Sequence, residues 1–206
     1  MDLIASIINR RSVRQFLDEP VPHSDIEEII EAARWAPSAS NKQMWKFVVV
    51  KNKDILDKMS QAVKEKVDLL IQQTGQKQLA GVKGYGAFFN QAPVTIAVFM
   101  EPYGHNLSEQ AFENLGYSQE QIQRLRGHVG IQSIGAAIQN ILLSAHAKGY
   151  GTCWMCASNI AAPEIEKLLG VEEPWELKAL IPLGKPAQIP KPAPRKELSE
   201  IMSVIE

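Results

Sequence analysis

The chain has 206 residues, of which 45% are hydrophobic and 22% are charged, so it is long enough to bury a full core within one domain. Its 22 basic and 23 acidic residues give a formal net charge of -1, which excludes a general attraction to nucleic acid or to anionic membranes. Residues 129–147 form the longest stretch without Asp, Glu, Lys or Arg, but polar side chains within it disfavour a membrane span. A signal-peptide pattern is absent from the start and the chain has only two cysteines, so we expect a cytoplasmic protein.

The first predicted element is a short helix over residues 2–8, whose apolar residues have helical spacing. Three arginines and a serine follow it directly: Arg10, Arg11, Ser12 and Arg14. The planar guanidinium group matches the geometry of phosphate and carboxylate, so the cluster indicates a local anion site, most simply for a phosphate. The alternatives are a solvated basic turn, or arginines that pair with the acidic residues Asp18 and Glu19.

A helix, a polar loop and a strand come next. Ser24 and Glu27 have the spacing of a capping box, which predicts a helix from Ser24 that ends near Ala36. Residues 38–43 form a polar loop, and the apolar run 47–50 after it predicts a strand. A polar loop held between a helix and a strand is a common position for a binding site.

The middle of the chain alternates between regular and irregular patterns. Asp54 predicts the start of an amphipathic helix that continues to Leu70. Residues 72–86 lack an apolar period and indicate a mobile loop or a loosely packed helix. Residues 93–99 are too uniformly apolar for a strand with one solvated face, so we expect a central buried strand there.

After this strand the composition changes, and a variable excursion from the core is expected over residues 101–128. The later predicted elements are a long buried helix over 129–147, a turn over 148–151, a strand-like segment over 152–155, a short helix over 163–170 and a strand over 177–183. The tail, residues 185–206, is rich in proline and then apolar, so we expect it to be extended and to lie on another subunit.

A search for catalytic motifs finds little that depends on side chains. Cys153 and Cys156 have the spacing of a redox dithiol, but they follow a strand-like segment late in the chain, so buried and inert cysteines are the preferred interpretation. The four histidines are scattered and predict no metal site. Motifs for Ser-His-Asp catalysis, for dinucleotide binding and for paired carboxylates are missing. The arginine cluster, the polar loop and the glycine turn instead suit a flat anionic cofactor that supplies the chemistry itself.

Four segments, in this order, resemble the FMN-dependent nitroreductase family: residues 10–16, 36–45, 135–154 and 194–198. With them the resemblance extends over the whole chain, which we interpret as one domain, residues 1–206. It implies an α+β fold of three layers, in which helices flank a central, mostly antiparallel sheet. It also implies an intertwined homodimer that holds two FMN molecules at the subunit interface.

The resemblance also assigns cofactor contacts by position. The N-terminal cluster would contact the phosphate, the ribityl chain and the pyrimidine edge of the ring through Arg10, Arg11, Ser12 and Arg14. Arg195 with Lys196 would reach the same phosphate from the tail. The polar loop would reach the partner subunit's cofactor through Pro37, Ser38, Asn41 and Gln43. The segment against the isoalloxazine ring would comprise Trp154, Met155, Cys156 and Ala157, with a backbone N–H near Cys156 and Ala157 offered to the reactive ring nitrogen. No catalytic side chain and no metal are implied.

The activity implied by the resemblance is a ping-pong cycle in which NAD(P)H reduces FMN and a small acceptor, such as a nitroaromatic or a quinone, is then reduced. Several alternatives stay open: a reductive dehalogenase or flavin-cleaving member of the same family, a non-catalytic FMN-binding protein, and a thiol oxidoreductase. The chain departs from the family at Met44, where many members have proline, and at Cys156 and Ala157, where glycine or an acidic residue is frequent. These departures predict a changed wall beside the flavin.

Overall fold

The computed structural model describes residues 2–104 and 106–206. The helices are α1 (Leu3–Asn9), α2 (His23–Arg34), α3 (Lys53–Thr74), α4 (Ala80–Ala87), α5 (Leu107–Asn114), α6 (Gln119–Leu125), α7 (Val129–Ala147), α8 (Ala162–Leu169) and α9 (Leu198–Ile201). The strands are β1 (Trp45–Val50), β2 (Val94–Met100), β3 (Gly151–Thr152) and β4 (Glu176–Gly184).

The four strands form one antiparallel sheet in the order β1-β2-β4-β3. Strand β2 lies between β1 and β4, and all its residues except Met100 are buried. The uniformly apolar run at 93–99 is therefore confirmed as a central strand, since both faces of β2 are covered.

Alternate residues of β2 point into two separate halves of the core. Ile96 and Val98 pack in the half that contains α2 and α7. Ala97 and Phe99 pack in the half that contains α3 and α8. The molecule therefore has helices on both faces of a central sheet, and the predicted three-layer α+β fold is confirmed.

Two helix starts differ from the predicted ones. Helix α2 begins at His23, so Ser24 already lies inside the helix and forms no capping box. Helix α3 begins at Lys53, where the side chain of Asn52 accepts a hydrogen bond of 3.2 Å from the Ile55 N–H. Asn52 is thus the N-terminal cap in place of Asp54, because a capping side chain must lie outside the first helical turn.

Residues 72–86 are more regular than their composition suggests. Helix α3 continues to Thr74 and ends at Gly75, which has the left-handed conformation that favours glycine. Helix α4 then packs along α3, so of the two alternatives, a mobile loop or a loosely packed helix, the structure shows the helix. The strand-like segment at 152–155 is also shorter than predicted, because β3 ends at Thr152 and only Met155 forms a further bridge, to Leu180.

The excursion over residues 101–128 contains α5 and α6. Ser118 and Gln121 form the predicted capping box at the start of α6. Glu109 on α5 is only 5% exposed, and its carboxylate lies 3.3 Å from Nε of Arg126, directly after α6. A largely buried ion pair therefore ties the two helices of the excursion together.

The tail after β4 is extended, with one helical turn at α9. Its apolar side chains are exposed on this chain: Leu198, Ile201, Met202, Val204 and Ile205. Among residues 2–104 and 106–206, no helix has both the length and the hydropathy that a bilayer crossing requires.

Candidate functional site

The arginine cluster is built onto the edge of the sheet. The Val13 N–H donates to the Thr152 carbonyl over 2.9 Å, and Ser12 forms a parallel bridge with Thr152. Val13 is 4% exposed and fills the space over Gly151, where a Cβ would lie 2.7 Å from Val13 Cβ. Because side chains alternate along an extended segment, Ser12 and Arg14 point to the side opposite Val13.

The guanidinium groups of Arg11 and Arg14 bond to nearby backbone. Arg11 donates to the carbonyl oxygens of Ile8 and Arg10 over 2.7 and 2.9 Å, and Arg14 donates to the Ser12 carbonyl over 3.2 Å. Within the part of the chain that the structure describes, no carboxylate forms a salt bridge with any of the three arginines of the cluster. The alternative pairing with acidic neighbours is therefore wrong, and the positive charge is available to a ligand.

A cavity of about 240 Å³ lies behind this cluster, at the C-terminal end of α7. Arg10 and Arg11 line it together with His146, Tyr150 and Ile189. The Nε2 atom of His146 is buried without a hydrogen-bond partner in the described residues. The unpaired guanidinium groups that line this cavity fit a group rich in oxygen acceptors, as the phosphate of FMN is.

The turn at Cys153 and Trp154 lies against the same cluster. Burial raises the pKa of the Cys153 thiol, and the neighbouring Arg14, Ser12 and Arg10 oppose that shift. The indole of Trp154 is 41% exposed and lies across α7, where a Cβ on Gly135 would be 3.6 Å from it. The chain thus brings the predicted N-terminal and Trp154 segments together.

Residues 155–157 differ in whether their backbone groups are free to bind a ligand. The Met155 side chain is buried, and its N–H and carbonyl both bond to Leu180 over 3.0 Å, so Met155 has neither to offer a ligand. Cys156 is exposed, and Ala157 begins a 3₁₀ turn, whose first N–H groups point out of the turn without internal partners. The predicted backbone donor therefore fits Cys156 and Ala157 better than Met155.

The two thiols differ in environment, since Cys153 is buried and Cys156 is exposed. Because the thiolate is the reactive form, we expect a disulfide reagent such as Ellman's reagent to label Cys156 in the native protein and Cys153 only after unfolding. Cys156→Ser should abolish the fast labelling phase. Two thiols that react equally fast in the native protein would contradict this prediction and would revive the dithiol interpretation.

The polar loop is strained and held in place by α7. Ser40, Asn41 and Gln43 all have positive φ angles near 50°, which is uncommon for residues other than glycine. The Ala39 N–H donates to Ser133 Oγ on α7 over 3.1 Å, and Ser38 Oγ accepts from the Gln43 N–H over 3.0 Å. Backbone held in such conformations is frequent at ligand sites.

This loop is distant from the arginine cluster within one chain. Ser133, which holds it, precedes His146 by thirteen residues of α7, or roughly 20 Å along the helix axis. A single chain therefore does not bring Pro37, Ser38, Asn41 and Gln43 to the arginines. Met44 is 3% exposed, so its side chain packs within its own chain, and the expected change in the wall beside the flavin stays a prediction.

The start of the tail lies beside Arg14. Gln188 and Pro190 line a cavity of about 200 Å³ together with Arg14. Arg195 and Lys196 are exposed, and Arg195 donates only to the carbonyls of Ala193 and Pro194 over 3.1 and 3.2 Å. Contacts from these two residues to the cofactor stay a prediction.

Sequence reasoning missed His146 and the contact between Val13 and Gly151. His146 was considered only as one of four scattered histidines, and His105, another of them, lies outside the described residues. A usable signal was the small Gly151 opposite the β-branched Val13, which permits the close approach of the two segments. Within residues 2–104 and 106–206, no cluster of His, Cys, Asp or Glu is arranged to hold a metal.

Comparison with known proteins gives consistent results. The chain is 29% identical over 192 residues to a putative NADH dehydrogenase/NAD(P)H nitroreductase of Methanothermobacter thermautotrophicus, covering 92% of this chain and 80% of that protein. It is 30% identical over 211 residues to the iodotyrosine deiodinase of Hydra vulgaris, covering 98% and 72%. The crystal structure of a BluB-like flavoprotein from Clostridium difficile has a TM-score of 0.90 at 34% identity, with both chains covered completely.

A nitroreductase with bound FMN from Bacteroides fragilis shares the fold alone, with a TM-score of 0.75, 21% identity and complete coverage of both chains. The family model described as the Nitroreductase family matches residues 7–185. The match includes the arginine cluster, the polar loop and the Trp154 turn, so the chain belongs to the nitroreductase family.

Proposed function

We propose that this protein is an FMN-dependent oxidoreductase that passes hydride from NAD(P)H through the flavin to a small acceptor such as a nitroaromatic or a quinone. Family membership and the names of the similar nitroreductases support this proposal. The single observation that carries the cofactor assignment is the cavity lined by Arg10, Arg11 and His146, because its two arginines have no carboxylate partner among the described residues.

In this proposal the N-terminal cluster binds the phosphate and the electron-rich edge of the flavin. When bound, FMN supplies the redox chemistry, since it accepts and donates hydride. Arg14 and its neighbours provide fixed positive charge, which favours the negative charge that the ring gains on reduction. The exposed indole of Trp154 provides an apolar surface, and the N–H groups of Cys156 and Ala157 provide hydrogen-bond donors.

We also propose a homodimer in which each site is completed by the partner subunit. The strained loop at 38–43 would then line the partner's cofactor, in agreement with its distance from the arginines of its own chain. Helix α1 exposes Leu3, Ile4 and Ile8, and the tail at 185–206 exposes further apolar side chains, which would be covered by the second copy. A cytoplasmic location and a single domain over 1–206 remain sequence-based predictions.

An anaerobic reduction experiment tests the enzyme assignment directly. The protein loaded with FMN should lose its visible flavin absorption on addition of NADH or NADPH, and it should regain it when a quinone or nitroaromatic is added. Stopped-flow comparison of the two donors would identify the preferred one. A yellow protein that neither donor bleaches would be a non-catalytic FMN-binding protein, and a protein that binds no FMN would exclude every flavin assignment.

Reductive dehalogenation is a second candidate, favoured by the similarity to the Hydra vulgaris iodotyrosine deiodinase. In this chain the excursion carries Tyr103, whose hydroxyl lies 2.9 Å from Ser40 Oγ in the polar loop. This hydrogen bond would hold the excursion beside the proposed flavin position, where it could cover a ligand that lies on the isoalloxazine ring. Release of iodide from iodotyrosine by the reduced protein would favour this candidate over the nitroaromatic and quinone acceptors.

A further inference from the structure

The 3₁₀ turn Ala157–Ala161, which follows the backbone donors proposed above, is anchored by a buried serine. Ser158 is 0% exposed, and its hydroxyl donates to the Gly86 carbonyl over 2.7 Å. The first N–H groups of the turn have no partner inside the turn and are free to bind a ligand. Because the Ser158 side chain is fully buried, it acts on a ligand only through the position of this turn.

The Gly86 carbonyl belongs to the C-terminal end of α4, where the last carbonyl groups of a helix have no partner within the helix. Two buried hydroxyls bond to this helix end. Ser158 bonds to Gly86, and Ser60 on α3, which is 1% exposed, donates to the Ala87 carbonyl over 3.0 Å. The two serines therefore satisfy the same kind of group, but Ser158 connects α4 to the 3₁₀ turn and Ser60 connects it to α3.

Strand β4 holds the same turn through a second residue. The Asn159 Nδ2 donates to the Lys178 carbonyl of β4 over 2.7 Å, and the Asn159 N–H donates to the Cys156 carbonyl over 3.0 Å. Helix α4 approaches the turn closely as well, since an ideal Cβ on Gly86 would lie 3.5 Å from the Ala157 carbonyl oxygen. The turn is therefore fixed by two elements, β4 and α4, and each is bonded to it by a side chain of the turn itself.

We propose that Ser158 is a positioning residue for the flavin, because its bond to Gly86 keeps the N–H groups of Cys156 and Ala157 directed at the reactive ring nitrogen. This inference rests on the proposed FMN binding. The oxidised ring nitrogen accepts a hydrogen bond, whereas the reduced one carries hydrogen and is a poorer acceptor, so a fixed donor favours the oxidised ring. Ser158 thereby lowers the reduction potential of the bound FMN without contacting it.

The reduction potential of the FMN-loaded protein, measured by equilibration with a reference dye and a chemical reductant, tests this inference without using enzyme activity. Ser158→Ala releases the turn from α4, so the bound flavin should have a more positive potential than in the wild-type protein. Loss of one hydrogen bond of ordinary strength changes the ratio of the affinities for oxidised and reduced FMN roughly 2- to 12-fold. For a two-electron couple this change is about 10–30 mV.

Ser60→Ala is the matched control, because it removes a buried hydroxyl from the neighbouring carbonyl, Ala87, at the same helix end. Both alanine variants should lower the Tm, since each leaves a buried carbonyl without its partner. The potential should shift in Ser158→Ala and stay at the wild-type value in Ser60→Ala. If the Ser158→Ala protein fails to fold, Ser158→Cys keeps a side chain of similar shape with a weaker donor and should shift the potential in the same direction.

A wild-type potential in the folded Ser158 variant, or equal shifts in the Ser158 and Ser60 variants, would overturn the inference. Those outcomes leave the proposed function intact, provided that NAD(P)H bleaches the wild-type protein. A wild-type protein that binds FMN but is not bleached by NAD(P)H would contradict the proposed enzyme, while the measured potentials would still test the role of Ser158. Absence of any FMN binding would contradict both the proposed function and the inference.

Discussion

Replacing Arg14 by alanine should give a folded protein that binds FMN much more weakly than the wild type. The Arg14 side chain is exposed and bonds only to the Ser12 carbonyl, so its removal costs the fold little. The flavin, in contrast, loses a charge-assisted contact of about 1.5–3 kcal/mol, which corresponds to a Kd that is roughly 10- to 150-fold weaker. Quenching of flavin fluorescence during titration of the apoprotein measures this change.

Arg34→Ala is the matched control for Arg14→Ala. Arg34 is also an exposed arginine, but it lies at the end of α2 and pairs with Glu31 at 2.6 Å. It should therefore leave the Kd for FMN unchanged. Equal Kd values for wild-type protein and Arg14→Ala would remove the N-terminal cluster from the proposed flavin site, and equal losses in both arginine variants would indicate a general charge effect.

Gly151→Ala is expected to lower both stability and FMN affinity, because the added methyl group would overlap the Val13 side chain. An ideal Cβ at this position lies 2.7 to 2.8 Å from Cβ, Cγ1 and Cγ2 of Val13. The overlap should push the N-terminal segment away from β3 and displace Ser12 and Arg14. Overpacking of this kind costs about 1–3 kcal/mol, which lowers the Tm by several degrees in a protein of this size. Thermal unfolding and FMN titration together measure both consequences.

Two further variants make this prediction specific. Gly84→Ala adds the same methyl group in α4, where no atom lies within 4 Å of the new Cβ, and should be neutral or slightly stabilising. Val13→Ala combined with Gly151→Ala removes two of the three overlapping atoms and should recover part of the FMN affinity. A Gly151→Ala protein with wild-type Tm and Kd would show that the two segments separate without consequence.

The central layers of the fold could be predicted from local pattern because burial there is nearly complete. Residues 94–100 and 129–147 are apolar enough that only a central strand and a buried helix satisfy their patterns. Helix starts were harder, since Asn52 and Asp54 are both good capping residues for α3 and the choice between them depends on where packing places the first turn. The glycines of α4 hid its helical pattern in the sequence. Gly86 lies against Val63 of α3, and the lack of a side chain at Gly86 lets the two helices pack closely.

The candidate site was predictable in its composition more than in its arrangement. The arginine cluster is visible as three cations within five residues, and the family resemblance supplied the remaining segments. His146 was not predictable, because its position beside Arg10 and Arg11 depends on α7 folding back onto α1. No local sequence pattern encodes the contact between α1 and α7, since more than a hundred residues separate the two helices.

The bridge between Ser12 and Thr152 also protects the sheet from other chains. Strand β3 is the edge strand, and an uncovered edge presents backbone N–H and carbonyl groups that can recruit strands from neighbouring molecules. The segment that carries the arginines covers this edge through the Val13 N–H bond to Thr152. Variants that detach the segment would therefore expose an aggregation-prone edge, so the fraction of protein that stays soluble during storage would report on the N-terminal contact independently of cofactor binding.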